Sequence, residues 1–405
     1  MFLKFQSRRI GRNHVVVFAL LFNTLSWYIL GQSIVTKIRY AFGEASLESL
    51  ALGLVYAFSL IVSAILSSVF LVKTRRTRLF TVWIIFGVLA SICSAISLGS
   101  SLFVSAFAVS LLGVSTGVGL PSCLSYFAES FSLENRGKVG GIILFTAFFG
   151  TATAMTLIVN LDLVYDVAFL AVWRAWALPF MSVVAEKQPV HDADVRATPS
   201  LTSILRNKSF ALYFIAWMMF AFVNSFEGVV VNLTLGDYRF FIKVVEPAVA
   251  GFSALIAGTL SDWVGRKRVL ISGFVFLGVA YATIGLLFQS WVSWLFYFFM
   301  DGVAIGSLWV LFVIVLWGDF SRDGSEKIYA LGETPFFLTE ILYLLLAPYL
   351  ALIPANGIFS LAAFFLFLAV LPLLYAPETL PEKKIKEREL KMYIGEAKKI
   401  REKYA

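Results

Sequence analysis

Charged side chains are scarce in this sequence: they make up 14% of the 405 residues, whereas 60% are hydrophobic. A soluble protein of this length needs far more polar surface, so the composition predicts a polytopic helical membrane protein. The chain has only two cysteines, both in apolar runs, which excludes a disulfide framework and a metal site. It shows no phosphate loop, zinc spacing or nucleophile elbow. We therefore predict neither an enzyme nor an ATP-driven pump, and no cofactor.

Long apolar runs dominate the rest of the chain. We count twelve, each close to the roughly 20 residues that cross a bilayer as a helix. Backbone groups in lipid must pair within the segment, and the alternating pattern of barrel strands is absent, so the runs are predicted to be helices. Numbered span 1 to span 12, they are residues 14–35, 49–72, 79–99, 102–128, 139–160, 163–185, 210–232, 241–261, 269–289, 291–317, 328–352 and 356–376.

Lysines and arginines are distributed unevenly among the loops between these spans. If the N-terminus is cytoplasmic, nearly all of them lie in the inner segments, and the outer segments hold only Lys37, Arg39, Arg239 and Lys243. Basic loops stay on the cytoplasmic side, so both termini are predicted to be cytoplasmic, in the plasma membrane. This distribution also accounts for the net charge of +8 without a nucleic-acid partner.

The order of charges indicates a duplicated six-helix unit. Charged residues recur in corresponding loops at a nearly constant offset, in the pairs Arg75 and Arg266, Glu129 and Asp319, and Arg136 and Lys327. Transporters built from such repeats commonly place the substrate between them, near the membrane midplane. We predict an N-terminal bundle, a cytoplasmic loop, a C-terminal bundle and a charged cytoplasmic tail helix, at residues 1–185, 186–209, 210–376 and 377–405.

The loop between spans 8 and 9 carries the most specific pattern in the chain, G-T-L-S-D-W-V-G-R-K, beginning at Gly258. Gly258 allows two helices to approach closely, and Gly265 permits a tight turn. Asp262 can face the positive N-terminus of a neighbouring helix. A topology anchor of positive charge alone would explain Arg266 and Lys267, but it would not explain the spaced glycines and the aspartate.

The spacing G-x-x-x-D-x-x-G-R-K resembles the loop motif of the major facilitator superfamily of transporters. The matching loop of the first half keeps its charges, at Arg75 and Arg76 among others. It has Leu71 and Thr74 where the superfamily motif places aspartate and glycine. A gate in the first half is therefore expected to be weaker than the one in the second half.

Two further patterns are similar to those of sugar and organic-acid porters in the same superfamily. Glu129 and Arg136 stand at the spacing seen after the fourth helix of those porters, and Asp319 looks like the second-half counterpart of Glu129. The P-E-T at 377–379 resembles the sequence that follows their last helix. The resemblance implies a cytoplasmic gating cluster of Gly258, Asp262, Gly265, Arg266, Lys267, Arg75, Arg76, Glu129, Arg136 and Asp319.

Ionisable groups inside spans are the candidates for proton coupling. A carboxylate at the centre of a span costs about 2.5–3.5 kcal/mol on insertion scales, so it usually faces a cavity or a partner. Asp301 is the first choice, and a buried structural partner is the alternative for every acid in this set. The candidates for substrate binding or proton coupling are Asn23, Gln32, Asn224, Glu227, Asp301, Glu340 and Glu333. Arg174, between Trp173 and Trp176 in span 6, is expected to play a structural role through a neighbouring helix or cation–π contacts.

These features lead to a functional hypothesis. The resemblance implies twelve helices in two pseudo-symmetric six-helix bundles around a cavity, working as a monomer by alternating access. The predicted partners are a small organic solute resembling a sugar or metabolite, a coupling ion (the proton, since protonatable carboxylates are present) and the lipid bilayer. Two alternatives stay open: efflux of cationic or amphipathic drugs by proton antiport, and a membrane sensor that transports nothing.

Overall fold

The structure is a computed structural model, and it describes residues 11–43, 46–71, 74–97, 100–158, 162–184, 199–234, 245–320, 326–350, 352–381, 390 and 393–394. Within these ranges the chain is helical and contains no β-strand. The predicted cytoplasmic loop is described only from residue 199 onward. Most of the predicted tail helix lies outside the described residues.

Within the described ranges, twelve long helices follow the order of the predicted spans. Spans 1 to 12 are Arg12–Tyr40, Leu47–Phe70, Arg76–Cys93, Leu102–Ser130, Arg136–Ile158, Leu163–Ala175, Lys208–Thr234, Glu246–Val264, Arg266–Leu286, Trp291–Asp319, Glu326–Leu350 and Ala355–Tyr375. Eleven of these described helices are long and apolar enough to cross a membrane. The remaining one, span 8, carries acidic residues near both ends. The predicted class, an all-α membrane protein, is confirmed.

Prolines explain where several helices differ from the predicted runs. Span 8 is described as a helix from Glu246, with Pro247 in its first turn, and residues 241–244 of the predicted run lie outside the described residues. Span 6 ends as an α-helix at Ala175 and continues as a 3₁₀ turn, Leu178–Val183, that contains Pro179. Span 11 is interrupted at Glu333, two residues before Pro335.

The first half, spans 1 to 6, meets the second half, spans 7 to 12, along two main seams. Span 5 packs along span 8, and span 2 packs along span 11. Glycines allow the first seam to be tight: a Cβ atom on Gly141 would strike the backbone of span 8, and one on Gly258 would strike that of span 5. Close backbone contact of this kind holds the two halves together along this seam.

Candidate functional site

Charged side chains gather at one end of the helices, which we call the basic end. Its centre is Arg266, the first residue of span 9, whose side chain is fully buried. Its Nη1 lies 2.5 Å from Oδ1 of Asp262, and its Nε lies 3.3 Å from Oδ2 of Asp319. Its Nη2 donates to the carbonyl oxygen of Leu133, in the first half, at 2.7 Å. A single guanidinium thus joins spans 8, 9 and 10 to the loop between spans 4 and 5.

Asp262, in the second half, forms hydrogen bonds with the first half. Its Oδ1 accepts a hydrogen bond from the backbone N–H of Gly137 at 3.0 Å, and its Oδ2 accepts one from Lys138 at 2.7 Å. Both amides belong to the first turn of span 5, where free N–H groups and the helix dipole favour an anion. Gly137 is required here, because a Cβ atom would strike the carbonyl oxygen of Gly258 and the carboxylate of Asp262.

Arg136, in the first half, forms hydrogen bonds and an ion pair with the second half. Its Nη1 lies 3.0 Å from Oδ1 of Asp319 and donates to the carbonyl oxygen of Gly318 at the same distance. Its other nitrogens donate to carbonyl oxygens of Phe131 and Ala128, at the end of span 4. The Asp319 side chain is fully buried, so its carboxylate is held between Arg136 of the first half and Arg266 of the second.

Glu378 completes this network, and the sequence indicated it only through the P-E-T at 377–379. Its Oε1 and Oε2 accept from the backbone N–H groups of Arg266 and Lys267, at 2.8 and 3.1 Å, and so cap span 9. The carboxylate lies against Gly265, whose φ of 103° favours glycine. Thr379 donates to Oδ2 of Asp319 at 3.1 Å. We call Asp262, Arg266, Arg136, Asp319 and Glu378 the latch.

The first half has a smaller counterpart. Arg76 forms an ion pair with Glu129 at 2.6 Å and lies over the ring of Tyr126. Arg266 follows Arg76 by the same number of residues as Asp319 follows Glu129, so Arg76 and not Arg75 is the counterpart of Arg266. Arg75 precedes span 3 and is exposed. The Arg76–Glu129 pair joins spans 3 and 4, which both belong to the first half.

A cavity of about 220 Å³ lies between the two halves near the middle of the spans. Aromatic and neutral polar side chains line it: Tyr28, Ile29, Gln32, Tyr56, Ala57, Leu60, Phe220, Asn224, Trp309, Phe336, Phe337 and Thr339. The Phe336 ring stands edge-on to Trp309 at 4.8 Å and contacts Tyr28 at 5.6 Å, centroid to centroid. No charged residue is among the described residues that line it. The wall therefore suits a solute with an apolar face and several uncharged hydrogen-bonding groups.

Two of the polar residues proposed from the sequence line this cavity, and one does not. Gln32 donates from Nε2 to the hydroxyl of Tyr28 at 2.8 Å, and Asn224 lies on the wall from span 7. Asn23 is fully buried inside the first half instead. Its side chain donates to the carbonyl oxygen of Trp173 and accepts from Arg174 at 2.8 Å. Asn23 thus holds span 6 against span 1.

Arg174 is held by rings of other spans, not by its neighbours Trp173 and Trp176. Its guanidinium carbon lies 4.2 Å from the ring centroid of Trp83 and 4.9 Å from that of Trp27. Its side chain is fully buried, and Asp166 pairs with Lys37. This cation therefore serves as a packing element within the first half.

Shortening Arg174 should cost stability. Arg174→Ala leaves a void between two indole rings, so we expect a loss of about 2–5 kcal/mol, as for other large-to-small core changes. Arg174→Met fills most of the space and needs no buried charge, so we expect it to recover most of this loss. Thermal unfolding of the purified protein measures both. Equal melting temperatures for the alanine variant and the wild type would contradict the packing role.

The structure describes the side chains of two of the four acids proposed for proton coupling, Glu333 and Asp301. Glu333 is 1% exposed, and neither of its carboxylate oxygens accepts a hydrogen bond from the described residues. It lies at the break in span 11, one turn before Phe337 of the cavity wall and on the side of the latch. Asp301 is equally buried but is not among the residues lining the cavity. The side chains of Glu227 and Glu340 lie outside the described residues.

Comparisons with known proteins bear on the fold. Residues 209–402 match the family model described as Major Facilitator Superfamily. The human organic anion transporter MFSD10 (TETRAN) has a TM-score of 0.69 at 15% identity, over 89% of this chain and 99% of that chain. The proton:xylose symporter XylE, bound to 6-bromo-6-deoxy-D-glucose, has a TM-score of 0.69 at 15% identity, over 90% and 96%. Comparison with curated proteins finds no match.

The resemblance seen in the loop between spans 8 and 9 is therefore confirmed. Residues 209–402 carry the sequence similarity to the Major Facilitator Superfamily, and 89–90% of the chain shares the fold of the two solved transport proteins. At 15% identity these structures show the fold alone.

Proposed function

We propose that this protein moves a small, uncharged organic solute across the membrane by alternating access, coupled to protons. The observation that carries the proposal is the cavity between the halves, with the latch joining those halves at the basic end. In this conformation the basic end is closed, and breaking the latch opens it. The excess of basic residues at this end supports a cytoplasmic orientation for it.

The chemistry of the cavity supports the class of solute. Rings of Tyr28, Trp309 and Phe336 offer faces for the apolar side of a sugar-like or metabolite-like molecule, and Gln32 and Asn224 offer amide donors and acceptors. A charged solute would lose its hydration against a wall where the described residues supply no opposite charge. This favours uptake of a neutral solute over the alternative, efflux of cationic drugs.

Proteoliposomes with a pH-sensitive dye inside test the proposal. An imposed gradient of each solute is screened over sugars, organic acids, amino acids and cationic dyes. A solute-driven change in internal pH establishes coupling and gives the substrate class. Tracer flux without a pH change would indicate uniport or another coupling ion. The absence of any flux would favour the sensor hypothesis.

Removing one amide from the cavity should weaken substrate binding. Gln32→Leu deletes hydrogen bonds of about 0.5–1.5 kcal/mol, so we expect KM to rise up to about tenfold with little change in kcat. Ser33→Ala is the matched control, because Ser33 lies beside Gln32 on span 1 and bonds only to its own helix. Concentration dependence of tracer uptake measures both. An unchanged KM in Gln32→Leu would remove this residue from the substrate site.

A further inference from the structure

A second depression lies away from the central cavity, on the outer surface of the second half. It is an apolar groove of about 400 Å³ between spans 8 and 9, with span 10 as its floor. We call it the outer groove. Its walls carry exposed apolar side chains such as Phe252, Ile256, Leu260 and Phe276, which face the membrane interior.

The groove exists because spans 8 and 9 share a turn and then diverge. Gly265 provides that turn, with its positive φ of 103°. Span 8 packs instead against span 10, where Gly302 and Gly306 let the two backbones approach closely. Small residues on the walls, Ser253 and Gly273 among them, keep the resulting wedge open.

The groove is long enough to hold one acyl chain. Its wall on span 8 runs from Val249 to Val264, which spans about 22 Å at the helical rise of about 1.5 Å per residue. One leaflet of the hydrocarbon core is about 15 Å thick, so an acyl chain entering from the basic end stays against the protein through the whole leaflet.

Arg268 gives this groove a charged end. It lines the groove two residues after Arg266 of the latch, is exposed, and forms no ion pair within the described part of the chain. Its neighbour Lys267 is already engaged, since its Nζ donates to the carbonyl oxygen of Leu374 at 2.7 Å. A guanidinium at the membrane surface above an apolar channel complements a phosphate headgroup above an acyl chain. We propose that the outer groove binds an anionic phospholipid of the leaflet at the basic end.

Native mass spectrometry of the delipidated full-length protein tests this proposal. The probes are dioleoyl phosphatidylglycerol and dioleoyl phosphatidylcholine, which have identical chains and differ in net charge. One basic residue near a membrane surface contributes about 1 kcal/mol, so Arg268→Gln should weaken phosphatidylglycerol binding about fivefold and leave phosphatidylcholine unchanged. Arg206→Gln is the matched control, because Arg206 is exposed just before span 7 and does not line the groove.

A second variant tests the channel itself. Ser307→Leu fills the floor of the groove and should weaken binding of both lipids, with folding checked by thermal unfolding. Equal phosphatidylglycerol binding by Arg268→Gln and wild type would overturn the proposal, as would an equal loss for both lipids in that variant. Displacement of the lipid by millimolar inorganic phosphate would show that the site takes a free anion, and would also overturn it.

Discussion

Asp262→Asn should cut the turnover of the transporter more than any other single change at the basic end. The amide nitrogen of asparagine cannot accept from Gly137 or Lys138, and the charge that balances Arg266 is lost. Breaking a buried pair costs about 3–5 kcal/mol, so the conformation closed at the basic end is strongly destabilised. Because the residue is remote from the cavity, we expect kcat to fall about tenfold or more while KM changes little.

Tracer kinetics in proteoliposomes measure the rate, and a spin-label distance measures the conformation. Labels at two exposed positions, Arg78 in the first half and Arg206 beside span 7, should move apart in Asp262→Asn. Asp162→Asn is the matched control, because Asp162 is an exposed acid at the opposite end. Wild-type rates together with an unchanged label distance would show that the contacts of Asp262 do not keep the basic end closed.

Glu333→Gln should uncouple transport from protons. A buried carboxylate that accepts no hydrogen bond from the described residues is more stable protonated than charged, because a charge within a span costs about 2.5–3.5 kcal/mol. Glu333 lies between the latch and the cavity wall, so opening the basic end exposes it to water and permits release of the proton. Glutamine mimics the protonated form permanently. We expect the solute-driven pH change to disappear while downhill solute exchange continues.

The comparison with Asp301→Asn separates the two leading candidates for the coupling residue. Asp301 is the first choice from the sequence, yet it is not among the residues that line the cavity. If coupling survives in Glu333→Gln and is lost in Asp301→Asn, the assignment to Glu333 is wrong and the original ranking holds. Loss of both exchange and coupling in Glu333→Gln would instead indicate a structural role, as for a residue that holds the break in span 11.

The sequence predicted most of the latch residues but not the contacts between them. The spacing of Gly258, Asp262 and Gly265 predicted an acid near the N-terminus of a helix, because a loop that needs only positive charge would not require the two glycines and the aspartate. Which helix supplies the terminus depends on how the two halves meet, and that is not encoded locally. For the same reason the sequence matched Arg75 to Arg266, whereas the ion pair with Glu129 belongs to Arg76.

The residues that line the cavity were harder to predict from the sequence than those of the latch. Gln32 and Asn224 were candidates because polar residues are rare in spans, but Asn23 satisfied the same criterion and holds Arg174 instead. Nothing in the sequence indicated that apolar residues such as Trp309 and Phe336 line the cavity. An aromatic residue that faces lipid, the core or a cavity looks the same in the sequence. The ranking of Asp301 above Glu333 followed depth in the span and could not include the direction of either side chain.

The sequence by itself determined the class of the protein, the number and order of its spans and the superfamily motif between spans 8 and 9. These follow from apolar run length, because a bilayer requires helices of about 20 residues, and from charges that must stay outside lipid. Only the tertiary structure decided which spans face each other, which polar residues line the cavity and which aromatic rings contact Arg174. Those features depend on packing between segments far apart in the chain, where close glycine contacts set the distances and local sequence does not.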